Sequence, residues 1–134
     1  MIKKISHIAI AVKNIEEARS FYEEILGLKI EKIEEVKDRK VKVAFIPIGE
    51  TRIELVEPIS EDSPIKKFLE ERGGGIHHIC FEIKEIEKEM ARLKEKGIRL
   101  TSDKPEKGAE GNLISFIHPK STYGVLIELN EKKE

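Results

Sequence analysis

Gly73-Gly74-Gly75-Ile76-His77-His78-Ile79-Cys80-Phe81 is the stretch that decides the fold of this chain. The glycine run frees the backbone, and a strand of apolar residues then opens with two histidines. The beginning of the chain has a similar strand, Ser6-His7-Ile8-Ala9-Ile10, which also carries a histidine near its start. We interpret the two strands as the first elements of two copies of one structural unit.

Residue counting supports this internal duplication. His78 follows His7 by 71 positions, and the same offset brings Ile15 onto Ile86. Ile127-Glu128-Leu129 repeats Ile53-Glu54-Leu55 at an offset of 74, so a loop insertion of three residues separates the two offsets. Histidines at both starts and Ile-Glu-Leu at both ends favour duplication over chance, even in a chain this rich in glutamate.

Each copy has the pattern of a β-α-β-β-β unit. In the first copy, residues 3–12 alternate as a strand, and Asn14 and Gly27 suit the start and the stop of a helix over 14–26. Ser63 and Pro64 then start a short connecting helix. The other predicted elements are strands near 29–36, 40–47 and 51–57, a strand at 76–83, a helix at 85–96 and strands near 98–101, 112–118 and 124–130. The loop at 105–111 is expected to be a mobile flap, and the tail at 131–134 is expected to fray.

Composition and charge argue against several classes of function. The formal net charge of -1 gives no electrostatic reason to expect binding to nucleic acid or to an anionic membrane. No apolar run is long enough for a membrane span or an export signal, and the single cysteine, Cys80, leaves no internal disulfide. We therefore expect a cytoplasmic protein. The excess of lysine and glutamate, with no glutamine, suggests a thermophilic host.

Strand alternation places four polar residues on one face of the two modules. His7 and His78 lie opposite to the apolar residues of their strands, and Glu54 and Glu128 each stand between two apolar neighbours. If the two modules pair about a pseudo-two-fold axis, these faces close into a trough. Two imidazoles and two carboxylates on its floor suit a divalent ion such as Co²⁺, Mn²⁺, Ni²⁺, Zn²⁺ or Fe²⁺, of which Co²⁺ is our first choice.

The predicted fold class is therefore α+β, with two paired β-α-β-β-β modules forming a curved mixed sheet around a metal-binding trough. Residues 1–134 make one domain, with module one at 3–57, a connector at 58–75 and module two at 76–130.

Simpler roles exist for single residues of these types. A lone strand histidine is commonly a surface or core residue, and a lone glutamate is commonly solvated. The joint placement of four such residues favours the metal site. We interpret His77 as a core-side residue, Cys80 as packing, and His118 as the partner of a loop hydrogen bond.

Several motifs resemble one family closely. They are Ser6–Val12, Arg52–Pro58, Asp62–Ile65, Gly75–Ile79, and His118-Pro119-Lys120 with Gly124–Leu129. Across nearly the whole chain they are similar to the vicinal oxygen chelate superfamily and, within it, to the methylmalonyl-CoA epimerases. The resemblance implies a single domain of this superfamily, a divalent metal, and a site whose ligands are His7, Glu54, His78 and Glu128, with Glu128 also the candidate acid/base.

The resemblance also implies a reaction, the interconversion of R and S methylmalonyl-CoA at C2. The acidic proton lies between a carboxylate and a thioester carbonyl, and a metal that chelates both oxygens stabilises the enolate formed when the proton leaves. Lys120 and Lys107 are candidate contacts for the CoA phosphates. The resemblance further implies a homodimer.

One position departs from the family pattern. Bacterial relatives carry a glutamate on the third strand of module one as the proposed opposing acid/base, and here that position is Val43, or Lys42 if the alignment shifts by one residue. Glu35, Glu50 and Lys42 are substitutes by proximity in the sequence.

Three alternatives remain open from the sequence. A glyoxalase I-type lactoylglutathione lyase shares the fold and the His/Glu ligand set. A metal-free binding protein of the same fold is disfavoured by the complete set of four ligands. An extradiol dioxygenase normally uses two histidines and one glutamate, often in a longer chain.

Overall fold

The computed structural model describes residues 2–133 in two compact units. One unit contains residues 7–77, and the other contains residues 2–6 together with 78–133. The first strand, β1 (Ile2–Ala11), begins in the second unit and ends in the first. Over residues 2–133, no helix is long and apolar enough to cross a membrane. The predicted single domain and its module boundaries stay a prediction.

In the unit of residues 7–77, β1 is followed by α1 (Ile15–Arg19), β2 (Lys32–Val36), β3 (Val41–Ile48), β4 (Thr51–Pro58) and α2 (Pro64–Arg72). The strands lie in the order β2-β3-β4-β1. β1 runs parallel to β4, and β3 runs antiparallel to β2 and β4. This arrangement is the predicted β-α-β-β-β module followed by the connecting helix.

The core of this unit lies on the face of the sheet that α1 covers. Ile10 of β1 and Val12, the residue after the strand, pack there against a buried cluster that includes Ile15 of α1 and Leu55 of β4. Alternation of side chains therefore sends His7 to the opposite face of β1. The face assignment made from the sequence is confirmed for the first strand of this module.

The predicted helix over 14–26 has the expected start but two kinds of turn. The Asn14 side chain accepts a hydrogen bond from the backbone N–H of Glu17 at 3.0 Å. After Arg19 the helix widens into a π-helix over Ser20–Ile25, where the N–H of Leu26 bonds to the carbonyl of Phe21 at 2.9 Å. Apolar spacing does not distinguish a π turn from an α turn, because both keep the same side of the segment toward the sheet.

The connecting helix has the predicted start and stop. Ser63 Oγ accepts a hydrogen bond from the N–H of Ile65 at 3.2 Å, and Pro64 occupies the first turn. Gly73 ends the helix in the left-handed region at a φ of 78°. Gly74 has a φ of 128°, and a Cβ there would lie 3.3 Å from the carbonyl oxygen of Ala11. A side chain at Gly74 would therefore be strained in its backbone and crowded by β1.

The second unit repeats the topology of the first. Its elements are β5 (Gly75–Ile83), α3 (Ile86–Glu95), β6 (Glu106–Lys107), β7 (Leu113–Ile117) and β8 (Ile127–Glu131). The strands lie in the order β1-β5-β8-β7-β6, where β1 contributes residues 2–6. β5 is parallel to β8, and β7 is antiparallel to β8 and β6. Ile83, Ile86 and Leu129 belong to the buried core of this unit.

Two parts of the second module differ from the prediction. Residues 98–101 form no strand, since Leu100 makes only a single bridge to Ile117. The strand at this sheet edge is β6, inside the loop that was expected to be a flap. Local alternation over 98–101 is too short to determine pairing, which depends on where the chain meets β7.

The end of the chain is more ordered than predicted. Glu131 belongs to β8, and the N–H of Lys133 bonds to the Asn112 side chain at 2.9 Å. Glu134, which also belonged to the tail expected to fray, lies outside the described residues.

In each module, one glutamate of the last strand binds the first residue of the helix. Glu57 Oε1 accepts a hydrogen bond from the N–H of Ile15 at 2.7 Å, and Glu131 Oε1 accepts one from the N–H of Ile86 at 2.6 Å. Ile15 and Ile86 are the first residues of α1 and α3, where backbone N–H groups lack helical partners. The duplication therefore extends to the way in which each helix is held on its sheet.

Candidate metal and active site

The unit of residues 7–77 contains one of the two predicted His–Glu pairs. β1 and β4 run side by side, with Ala9 opposite Glu54, so His7 and Glu54 lie close on the face opposite α1. His7 Nδ1 and Glu54 Oε2 are 3.1 Å apart. Both residues are buried, with 3% and 4% of their surface exposed. The structure brings these two predicted ligands together.

Arg52 completes the environment of Glu54. Its Nε donates a hydrogen bond to Glu54 Oε2 at 2.8 Å, so the oxygen that contacts His7 also contacts Arg52. The Arg52 guanidinium carbon lies 5.0 Å from the centre of the Phe45 ring. Phe45 is the β3 residue opposite Glu54, and Arg52 stands two residues before Glu54 on the same face, so the Arg52 side chain reaches both.

The second unit contains the other predicted pair. His78 Nε2 and Glu128 Oε1 are 2.7 Å apart, and both residues are buried. β5 and β8 are parallel with Cys80 opposite Glu128, which places the His78 and Glu128 side chains on one face. Phe116, opposite Glu128 on β7, meets the His78 ring edge-to-face at 5.5 Å. Phe116 therefore limits the positions that the imidazole can take.

The chemistry of both pairs fits a divalent metal. Each pair presents an imidazole nitrogen and a carboxylate oxygen in a position from which most solvent is excluded. Imidazole and carboxylate are common ligands of Zn²⁺, Co²⁺ and similar ions, and a buried carboxylate requires a cation or hydrogen-bond donors to offset its loss of hydration. That all four residues hold one ion remains a prediction.

The other residues considered in the sequence have structural contacts. The His77 ring packs edge-to-face on Phe68 of α2 at 4.9 Å. His118 Nδ1 accepts a hydrogen bond from the N–H of Lys120 at 3.0 Å, which is the predicted role in a loop. Cys80 is buried and forms no disulfide. Lys107 and Lys120 are both exposed.

The strand register shows which of Val43 and Lys42 lies on the same face of the sheet as Glu54. Phe45 pairs with Glu54, so Val43, two residues earlier, shares the face of Glu54. Lys42 lies on the other face, where its Nζ is 3.7 Å from Glu57. Glu35 pairs with Lys42 and shares that other face. Neither Lys42 nor Glu35 is therefore on the same side of its module as Glu54.

Two carboxyl groups away from the His–Glu pairs have lowered pKa values. A side-chain hydrogen bond from Arg92 lowers the pKa of Glu89, and one from Lys40 lowers the pKa of Asp62. Both contacts are ion pairs at the protein surface, outside the predicted site.

Sequence reasoning missed Arg52 and the glutamates that bind the helix ends. Arg52 could have been found by alternation, because it stands two residues before Glu54 on the same face. Glu57 and Glu131 are separated by 74 positions, the offset that relates Glu54 to Glu128. That repeat was visible in the sequence, but the partners of the two carboxylates were not.

Comparison with known proteins identifies the family. A model described as the glyoxalase/bleomycin resistance protein/dioxygenase superfamily matches residues 6–116. The ethylmalonyl-CoA/methylmalonyl-CoA epimerase of Cereibacter sphaeroides is 44% identical over 98% of this chain and 99% of its own length. The mitochondrial methylmalonyl-CoA epimerase of Mus musculus is 40% identical over 96% of this chain and 72% of its own length.

A solved structure extends this similarity to three dimensions. A variant of the Streptomyces coelicolor methylmalonyl-CoA epimerase, in complex with 2-nitronate-propionyl-CoA, superposes with a TM-score of 0.94. It is 33% identical, and the match covers 98% of this chain and 96% of that one. The predicted α+β fold class is confirmed. The chain belongs to the glyoxalase/bleomycin resistance protein/dioxygenase superfamily and, within it, to the methylmalonyl-CoA epimerases, which are isomerases.

Proposed function

We propose that this protein epimerises methylmalonyl-CoA at C2 with a divalent metal held by His7, Glu54, His78 and Glu128. The observation that carries the proposal is the presence of one buried His–Glu pair in each copy of the duplicated module, at 3.1 and 2.7 Å. Burying a carboxylate is costly, and a purely structural role would not require a charged group on the buried face of both modules. The names of the relatives supply the substrate class.

The four residues would hold a divalent ion, which would supply Lewis-acid stabilisation of the negative charge that develops when the C2 proton leaves. The chain's own residues then have three tasks. The two histidines and the two glutamates would hold the ion, and Phe116 restricts the orientation of the His78 ring. Glu128 accepts the C2 proton on one side of the substrate.

Inversion at C2 requires that a proton return to the opposite side. Val43 shares the face of Glu54, where the family resemblance implies a carboxylate, and its side chain has no proton to give. Water is the donor that requires no further titratable side chain. We therefore propose one-carboxylate chemistry in which Glu128 and water exchange protons with C2.

The proposal also covers the rest of the substrate. Lys107 and Lys120 are exposed cations of the second unit, and we propose them as contacts for the CoA phosphates. The complex of the Streptomyces relative supports an acyl-CoA ligand.

Deuterium exchange tests the reaction. The protein is incubated with methylmalonyl-CoA in deuterated water, and the label at C2 is followed by mass spectrometry with and without added Co²⁺. We expect metal-dependent incorporation at C2. Absence of label above a protein-free control would contradict the epimerase, and exchange that persists after complete chelation would contradict the metal dependence. Consumption of a glutathione hemithioacetal instead would indicate a lyase.

Metal content tests the ligands. His7→Ala should lose bound metal in protein purified without chelator, whereas His118→Ala, which removes a histidine outside both pairs, should retain it. Equal metal content in His7→Ala and the wild type would contradict the proposed site.

We also propose that the protein is a cytoplasmic homodimer from a thermophilic host. The family resemblance supports the dimer, the single buried thiol fits a reducing compartment, and the Lys/Glu-rich composition fits high temperature. Sedimentation equilibrium should give twice the mass of 15.4 kDa. A monomeric mass at micromolar concentration would contradict the dimer.

A further inference from the structure

Glu54 and Glu128 are related by the duplication, but their surroundings differ in one important residue. Arg52 stands two residues before Glu54 and bonds to its Oε2 at 2.8 Å. The residue two positions before Glu128 is Leu126. One of the two copied carboxylates therefore has an arginine at its side, and the other has an apolar residue at the same place in the repeat.

The Arg52 side chain is held in place by its surroundings. Its guanidinium lies 5.0 Å from the centre of the buried Phe45 ring, and only 22% of the side chain is exposed. Contact with an aromatic face favours a fixed guanidinium position. Nε lies at the inner end of the guanidinium group, so small motions of its terminal nitrogens leave the bond to Glu54 intact.

A buried carboxylate has few orientations that satisfy its charge. Glu54 is 4% exposed, and its Oε2 lies within 3.1 Å of both Arg52 and His7. Charge-assisted hydrogen bonds of this kind are short and strong, so they select one rotamer of the glutamate. Partners of this type around a metal ligand are commonly as important as the ligand itself.

We propose that Arg52 is a positioning residue that commits Glu54 to metal ligation. It holds the carboxylate beside His7 and offsets its negative charge. The equivalent position of the second copy is Leu126, whose side chain has no hydrogen-bond donor to offer Glu128. The inference rests on the proposed metal site.

The test measures Co²⁺ binding directly, separately from activity. Wild type, Arg52→Met and Arg52→Lys are freed of metal, and Co²⁺ affinity is measured by competition with a chromogenic chelator. Arg52→Met should weaken Co²⁺ binding by about 10- to 100-fold and change the visible Co²⁺ absorption. Arg52→Lys should have a smaller effect, because lysine keeps the charge and lacks the planar fork.

A double-mutant cycle separates positioning from general damage. If Arg52 acts through the Glu54 carboxylate, then Arg52→Met should have little further effect on Co²⁺ affinity in a Glu54→Gln background. Leu126→Met is the matched control at the equivalent position of the second copy, and it should bind Co²⁺ as the wild type does. Thermal unfolding of the metal-free variants shows whether each is folded.

The outcomes distinguish this inference from the proposed function. Wild-type protein that binds no Co²⁺ would overturn both. Wild-type protein that binds Co²⁺, with Arg52→Met binding it as tightly and with the same spectrum, would overturn the role of Arg52 alone. The role of Arg52 would also be overturned if Arg52→Met lowered Co²⁺ affinity equally in the wild-type and Glu54→Gln backgrounds. A changed KM for the acyl-CoA in Arg52→Met, with unchanged Co²⁺ affinity, would overturn it as well.

Discussion

The hydrogen bond between Glu131 and the start of α3 is expected to make a measurable contribution to stability. Glu131 Oε1 accepts from the N–H of Ile86 at 2.6 Å, and Glu85, the residue before the helix, makes no side-chain cap. Glu131→Gln keeps an acceptor but removes the charge. The loss of charge assistance and of attraction to the helix dipole should cost about 1 kcal/mol of unfolding free energy. Glu131→Ala also removes the acceptor and should cost about 2 kcal/mol.

Thermal unfolding measures this effect. For a chain of this length, about 1 kcal/mol corresponds to a fall in Tm of roughly 3–5 °C. Glu57→Gln should show a fall of similar size, because Glu57 makes the same contact with Ile15 at 2.7 Å. Glu70→Gln, at an exposed position of α2, is the matched control for the loss of one carboxylate.

Two results would refute the reasoning. One is a Tm for Glu131→Gln equal to that of the Glu70→Gln control, since the hydrogen bond would then contribute nothing beyond surface charge. The other is a loss of Co²⁺ binding in a folded Glu131→Gln variant. Glu131 and Glu128 lie on opposite faces of β8, so removing the contact to α3 should leave the His78–Glu128 pair in place.

Three further predictions concern catalysis, substrate and pH. Glu128→Gln should slow deuterium exchange at C2 by about 10²- to 10⁴-fold while the protein stays folded; an unchanged rate would exclude Glu128 as the proton acceptor. Lys120→Ala should raise KM for the acyl-CoA and leave kcat unchanged, and steady-state kinetics with unaltered KM would contradict the phosphate contact. The hydrogen bond from Arg92 lowers the pKa of Glu89, so its stabilising effect is present above the ordinary carboxyl pKa and is lost as pH falls through the lowered value. In Glu89→Gln, the free energy of unfolding measured with urea should fall slightly less steeply on the acid side of its pH profile. A profile identical to that of the wild type would contradict this.

The strand register explains why part of the site could be read from the sequence. The period of two along a strand assigns faces from local order alone, and it correctly placed His7 opposite the apolar residues that pack on α1. The same argument could not choose between Val43 and Lys42, because that choice depends on which residue of β3 lies opposite Glu54. Register is a property of two paired strands, and a shift of one residue exchanges the faces.

The contacts between the glutamates and the helix ends also could not be predicted from the sequence. The repeat at an offset of 74 relates Glu57 to Glu131 in the sequence, yet nothing local indicates that each carboxylate meets the first N–H of a helix 42 or 45 residues away. Residues 98–101 failed as a predicted strand for a related reason. The segment bonds to β7 only around the single bridge from Leu100 to Ile117, and the strand that pairs with β7 on this side is β6.

The sequence by itself determined the duplication, the two β-α-β-β-β modules, the connecting helix and the histidine and glutamate that each module contributes. These follow from local periodicity and from residue offsets, which the chain carries without reference to its neighbours. Only the tertiary structure decided that each histidine meets its glutamate at hydrogen-bond distance and that Arg52 bonds to one of the two copied carboxylates. Those contacts join residues of different strands, and their distances depend on pairing and packing that no local pattern encodes.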